Sequence, residues 1–123
     1  MQIRISTRVV LLVGSYAIKI PVDRRGWLQG LNEIYLYDKY ACIGQLAPLV
    51  WWVGGVVVQR RCKPLPVRLV KYYARRIKEN IPELNVRLCD LYQPNNWGVY
   101  RGKVVLLDYG ITEEVSRMYK RNQ

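Results

Sequence analysis

The sequence predicts an α+β protein in which antiparallel hairpins come first and amphipathic helices follow. Three turns carry the β part: Gly14-Ser15, Gly54-Gly55 and Arg101-Gly102, each between two short apolar runs. Two stretches of helical periodicity carry the α part, one after Asp23 and one after Pro66.

Arg8 to Val13 and Tyr16 to Ile20 read as paired strands, and glycine at the first turn position suits a type II′ hairpin. Pro21 ends the second strand, and Asp23 can cap a helix running to Tyr40. Trp27, Leu28, Leu31, Ile34 and Tyr35 fall on one face of that helix, the expected buried stripe, with Glu33 off its centre. Pro48 to Val53 and Val56 to Arg60 form a second hairpin, after which Arg60 to Pro64 leaves the sheet. From Pro66 to Glu79 the pattern is helical again. Leu65, Leu69, Tyr73 and Ile77 form its expected buried stripe, and Pro82 follows its end. Asn85 to Leu88 reads as a short strand entering a loop at Asp90. Trp97 to Tyr100 and Lys103 to Leu107 form the third hairpin. Thr112 can cap a last helix, with Glu113 and Glu114 in its first turn and Lys120 and Arg121 in its last.

At 123 residues the chain has the mass for one core. It contains no histidine, which excludes Ser-His-Asp and Cys-His nucleophile chemistry and histidine-ligated zinc. Its three cysteines, at 42, 62 and 89, are odd in number and far apart, a usage that fits a reducing compartment. No apolar run has membrane-spanning length, and no secretory leader is expected. A net charge of +11 points to anionic partners: nucleic acid, an anionic membrane, phosphate ligands or an acidic protein partner. Arg68, Lys71, Arg75, Arg76 and Lys78 concentrate that charge on the second helix, the expected partner-binding face.

Four segments carry candidate chemistry. Tyr16-Ala17-Ile18-Lys19 sets one lysine in an apolar strand, and Glu33 follows on a helix. Asp90-Leu91-Tyr92-Gln93-Pro94-Asn95 spaces an aspartate and an asparagine by five, and Asp108-Tyr109-Gly110 ends an apolar strand. Phosphoryl transfer uses such parts: a lysine for phosphate oxygens, a glutamate to aim it, and Asp and Asn for magnesium. Each residue also has an ordinary reading: Lys19 as an edge charge, Glu33 as a solvated helix residue, Asp90 and Asn95 as turn formers.

In this order the segments resemble the protein-kinase fold, and most closely the small kinase-like proteins carried by bacteriophages. The resemblance spans Arg8 to Gly110. It implies a sheet-bearing lobe over residues 1–62 and a reduced second lobe over 63–123. Lys19 would hold the phosphates of ATP, with Glu33 paired to it. Gln59 to Cys62 would be the hinge that meets adenine. Asp90 would be the catalytic aspartate, and Asn95 or the adjacent Asn96, with Asp108, would hold Mg2+. The chain departs from the family pattern in three places. No Gly-x-Gly-x-x-Gly covers the phosphates, Leu88-Cys89 replaces His-Arg before Asp90, and no activation segment follows Gly110.

With those departures the resemblance implies a pseudokinase in the host cytoplasm, one that binds a host protein or ribonucleoprotein complex. An inhibitor of a host defence system such as CRISPR belongs to this class. The alternatives are a minimal Mg-ATP-dependent phosphotransferase and a basic nucleic-acid binder. The last rests on Tyr72-Tyr73-Ala74-Arg75-Arg76 and Tyr119-Lys120-Arg121.

Overall fold

The computed structural model describes residues 2–5, 7–84, 86 and 88–110. The expected helix at Thr112 and the Tyr119-Lys120-Arg121 segment lie outside the described residues, as do Asn85 and Arg87. The class is α+β. Strands β1 (Gln2–Ile5), β2 (Arg8–Val13) and β3 (Tyr16–Pro21) precede helix α1 (Arg24–Tyr40). Then come β4 (Leu49–Val53), β5 (Val56–Arg60) and β6 (Lys63–Pro64), helices α2 (Val70–Asn80) and α3 (Leu88–Leu91), and strands β7 (Trp97–Tyr100) and β8 (Lys103–Leu106).

The hairpin turns set the first sheet. Gly14 and Gly54 adopt φ of +56° and +55°, the conformation that brings a two-residue turn into line with strand twist. At the third turn both Arg101 and Gly102 are positive, at +51° and +78°, the type I′ pattern. The first five strands form one antiparallel sheet in the order β1-β2-β3-β5-β4, so the lysine strand β3 is central. Strand β1 was not expected: its four residues precede the first glycine turn and lack a turn signal of their own.

Helix α1 begins where expected, with the Asp23 side chain accepting from the Gly26 amide. Its buried face is not the expected one. Gly26, Gln29, Gly30, Glu33 and Leu36 turn inward, whereas Trp27, Leu31 and Tyr35 are 45%, 42% and 48% exposed. The cause is a close backbone approach. A Cβ built at Gly26 would lie 2.2 Å from the Thr7 carbonyl oxygen, and one at Gly30 2.1 Å from that of Gly55. The two glycines, one turn apart, let the helix settle on the sheet and carry Gln29 and Glu33 beneath it. The large apolar residues are left on its flank.

A second sheet, β6-β7-β8, is stitched to the first by a parallel bridge between Leu46 and Leu106. The Ala47 amide donates to the Leu106 carbonyl at 3.0 Å, and the Leu106 amide to that of Gln45 at 2.8 Å. Helix α2 buries Val70, Ala74 and Ile77 in the core, with Leu69 and Tyr73 half-buried, a stripe one residue off the expected centre. Leu88, where the expected strand was to end, instead opens the short helix α3. Among the described residues no helix is long and apolar enough to cross a membrane.

Gly30→Ala sets helix propensity against packing. Propensity alone favours alanine in a helix by about 1 kcal/mol. The backbone contact with Gly55 forbids the extra methyl, so a net loss of about 1–3 kcal/mol is expected, read as a lowered urea midpoint. An unchanged or raised midpoint would show that α1 does not need the close approach.

Candidate functional site

Four charged side chains from four parts of the chain meet beneath the first sheet. Lys19, in the central strand, and Glu33, on α1, are 4% and 0% exposed. The Lys19 ammonium donates to Glu33 Oε2 at 3.1 Å and to the Leu107 carbonyl at 2.6 Å. Arg8, at the start of β2, closes the cluster. Its guanidinium donates from Nη1 to Glu33 Oε1 at 2.8 Å and from Nη2 to Glu33 Oε2 at 3.0 Å, a two-pronged pair. The same Nη2 donates to Asp108 Oδ1 at 2.7 Å. Among the described residues the cluster therefore holds two cations and two anions.

The segment after β8 wraps this cluster. The Leu107 carbonyl accepts from Lys19 and also from Gln59 Nε2 at 2.9 Å. The Tyr109 amide donates to Glu33 Oε2 at 3.3 Å, and its hydroxyl to the Ala47 carbonyl at 3.0 Å. Gly110 lies against α1: a Cβ there would be 2.2 Å from the Gln29 carbonyl oxygen. On the other side Thr7 donates to Gln29. The segment 107–110 is thus fitted to the charged cluster through Leu107, Asp108 and Tyr109 and to α1 through Gly110.

Burial pushes the Glu33 carboxyl up, but the Arg8 and Lys19 cations and their hydrogen bonds outweigh it and bring the group down to about 2. Burial lowers the Lys19 ammonium, only partly offset by Glu33. Burial also raises the Tyr109 hydroxyl well above its ordinary value and the Cys62 thiol to about 11. Glu33 is accordingly an anion throughout the neutral range, and Cys62 a neutral thiol.

The expected site residues divide into two groups. Lys19 and Glu33 meet directly, and Asp108 joins them through Arg8, a residue that sequence reasoning did not single out. An arginine opening an apolar strand was the only available signal. Asp90, Asn95 and Asn96 are organised around α3 instead. Asn96 Nδ2 donates to the Asp90 carbonyl at 2.8 Å, and the Asn96 carbonyl accepts the Leu107 amide at 2.7 Å. Asn95 is exposed. Of the two asparagines, then, Asn96 ties the loop to Asp90. Trp97 Nε1 donates to the Leu91 carbonyl at 2.7 Å and fixes the end of α3. In the expected hinge, the Arg60 and Arg61 amides already donate to the Pro48 and Ser15 carbonyls at 2.9 and 2.8 Å.

Arg68, in the 3-10 turn just before α2, and Lys71, Arg75 and Arg76 on α2 are exposed, and Lys78 is half-buried. Arg76 donates to the Tyr72 hydroxyl at 2.7 Å and stacks over its ring, and Lys71 lies 5.7 Å from the Tyr92 ring centre. The cations are thus partly propped on aromatic faces.

The depressed Glu33 carboxyl links stability to acid. Its contribution is complete above the ordinary value of 4.5 and is lost as pH falls from there toward about 2. The full loss is about 3 kcal/mol, on the order of 1.4 kcal/mol per unit. Urea unfolding at pH 7, 4 and 3 should show this decline. Glu33→Gln should be less stable than wild type at pH 7, by about 3–5 kcal/mol for two buried cations left with one anion fewer, and its acid dependence should be flatter. Equal acid slopes in the two proteins would place the titrating group elsewhere.

No protein-family model, curated protein or solved structure matches the chain. Its chemistry is carried by the geometry of its own residues.

Proposed function

We propose that the chain is a degenerate kinase-like protein, of the kind carried by bacteriophages, that acts in the host cytoplasm by binding a host protein or ribonucleoprotein complex. On this reading phosphoryl transfer is weak or absent. The observation that carries it is the position of Arg8. In a kinase-like site Asp108 would hold Mg2+ and Lys19 the phosphates of ATP. Here the Arg8 guanidinium already lies on Asp108 and on Glu33, and Lys19 is engaged by Glu33 and the Leu107 carbonyl. A dication cannot approach Asp108 closely without displacing the arginine or sharing its carboxylate with a like charge. Among the described residues no group of three or more Asp, Glu or Cys gathers to hold a metal. With Arg8 on both carboxylates, the residues as they stand do not fit Mg2+.

The likeness to kinases is supported by the sheet order, with the lysine strand central, by the Lys19–Glu33 pair, and by the fit of Asp108-Tyr109-Gly110 against α1. A second reading, a minimal Mg-ATP-dependent phosphotransferase, is favoured by the same pair and by the 43% exposure of the Asp108 side chain. Inhibition of a defence system such as CRISPR belongs to the first reading. The face formed by Arg68, just before α2, with Lys71, Arg75, Arg76 and Lys78 of α2 is the proposed contact with an anionic partner surface, protein or nucleic acid.

Thermal-shift titration with Mg-ATP separates the two readings. The wild type should show no shift, and Arg8→Ala should gain one while losing stability. A wild-type shift with Mg-dependent phosphate transfer, abolished in Asp108→Ala, would establish the phosphotransferase. For the basic face, partner association should weaken with salt, because exposed charges are screened over about 8 Å at physiological ionic strength. Arg75→Glu/Arg76→Glu should abolish capture of the partner at low salt. Undiminished capture by a folded double mutant would make the face a solvated surface only.

A further inference from the structure

We infer that the face of the five-stranded sheet opposite α1 is the interface between two copies of this chain. The strand register fixes what that face contains. Ala17, Lys19, Val57 and Gln59 are buried on the α1 side. Their neighbours in the strands therefore point the other way. One row across the sheet is Leu11, Ile18, Val58 and Trp51, paired directly in that order. The next row toward the strand ends is Val13, Tyr16 and Arg60. On the other side of the central row lie Val9 with Ile20 and Val53 with Val56.

Across β2, β3, β5 and β4 this face is apolar. Antiparallel sheets with one solvated face normally alternate polar residues outward, and here the outward positions are valine, leucine, isoleucine, tyrosine and tryptophan. Arg60 is the single charge in these rows. It stands at the end of β5, at the rim of the face, over the Tyr16 ring at 5.1 Å. In the single chain five of these apolar side chains are open to water, Val13 45%, Tyr16 40%, Ile20 36%, Trp51 57% and Val53 56% exposed, and Val9, Leu11, Ile18, Val56 and Val58 are half-buried.

Size and composition identify the occupant. Five strands spaced about 4.8 Å apart and rising about 3.3 Å per residue give a footprint of roughly 400 Å² in projection, more with side-chain relief. In projection that is about half of the roughly 800 Å² that one partner contributes to a standard interface, and side-chain relief brings it nearer. Interfaces this apolar belong to permanent assemblies, whereas transient ones are about as polar as ordinary surface. A permanent partner must be present when the chain is made, and a second copy always is. Two such faces can pack as a sandwich related by a two-fold axis. The face carries almost none of the +11 charge, so the repulsion between copies stays outside the contact. The inference is independent of the kinase-like reading.

Sedimentation equilibrium over about 1–100 µM, a span bracketing micromolar dissociation constants, tests it. The wild type should sediment as a dimer. Trp51→Glu and Ile20→Glu should each raise the dimer dissociation constant about a hundredfold or more, since a charge would be buried at the contact, with far-UV circular dichroism unchanged. Tyr72→Glu, on the exposed face of α2, should remain dimeric. If either sheet variant fails to fold, iodide quenching of wild-type tryptophan fluorescence supplies the answer, rising on dilution as Trp51 is uncovered. A wild type that is monomeric throughout, or folded variants that dimerise like wild type, would overturn the inference. A monomer whose capture of a host protein is lost in Trp51→Glu would also overturn it, and would assign the face to that protein.

Discussion

Glu33 is a fully buried carboxylate, and an ion so placed is tolerated only where cations and hydrogen-bond donors surround it. Arg8 supplies two donors, Lys19 a third and the Tyr109 amide a fourth. These donors come from β2, β3 and the segment after β8, so satisfying one carboxylate fixes how the first sheet, α1 and the end of the second sheet meet. Gly26 and Gly30 follow from the same need. The glutamate reaches its partners only if its helix lies close on the sheet, and the helix lies close only without side chains at those two positions.

That requirement also explains which parts of the fold were legible in the sequence. The three glycine turns and their strands read correctly because turn chemistry is local: a positive φ at Gly14, Gly54 or Gly102 needs no distant partner. Asp23 as a cap was legible for the same reason. The face of α1 was not. Periodicity assigns a helix's apolar side to the core, but here the inward side carries Gln29 and Glu33 because the core beneath it is ionic. Within the site, Lys19, Glu33 and Asp108 were legible through their order along the chain. Arg8 was not, since its role depends on a partner one hundred residues away. Asn96 rather than Asn95 holds the Asp90 loop, a one-residue difference that only the bend of the backbone at Pro94–Asn96 decides.

Among the described residues the cluster sets two cations against two anions. Sites for phosphate or magnesium keep uncompensated charge directed at the ligand. In this chain Arg8 balances Glu33 and Asp108 from inside, while Gln59 and Lys19 satisfy the carbonyl of Leu107. Among the described residues the arrangement leaves little charge facing outward. Only Asp108, with a side chain 43% exposed, opens to solvent.

What the interior does not present, the surface does, and it does so in two separate chemistries. The exposed flank of α2 is cationic, its side chains propped on tyrosine rings, and suits an anionic partner reached through solvent. The outer face of the first sheet is apolar and almost uncharged, and suits a partner that stays. A protein that uses its fold as a scaffold can separate these tasks, with one surface for assembly and another for recognition. Dimerisation through the sheet would also present two α2 faces on a single particle. The second contact with an extended polyanion or repeated acidic surface then becomes intramolecular, and avidity rises without any new residue, provided both faces can reach the target together.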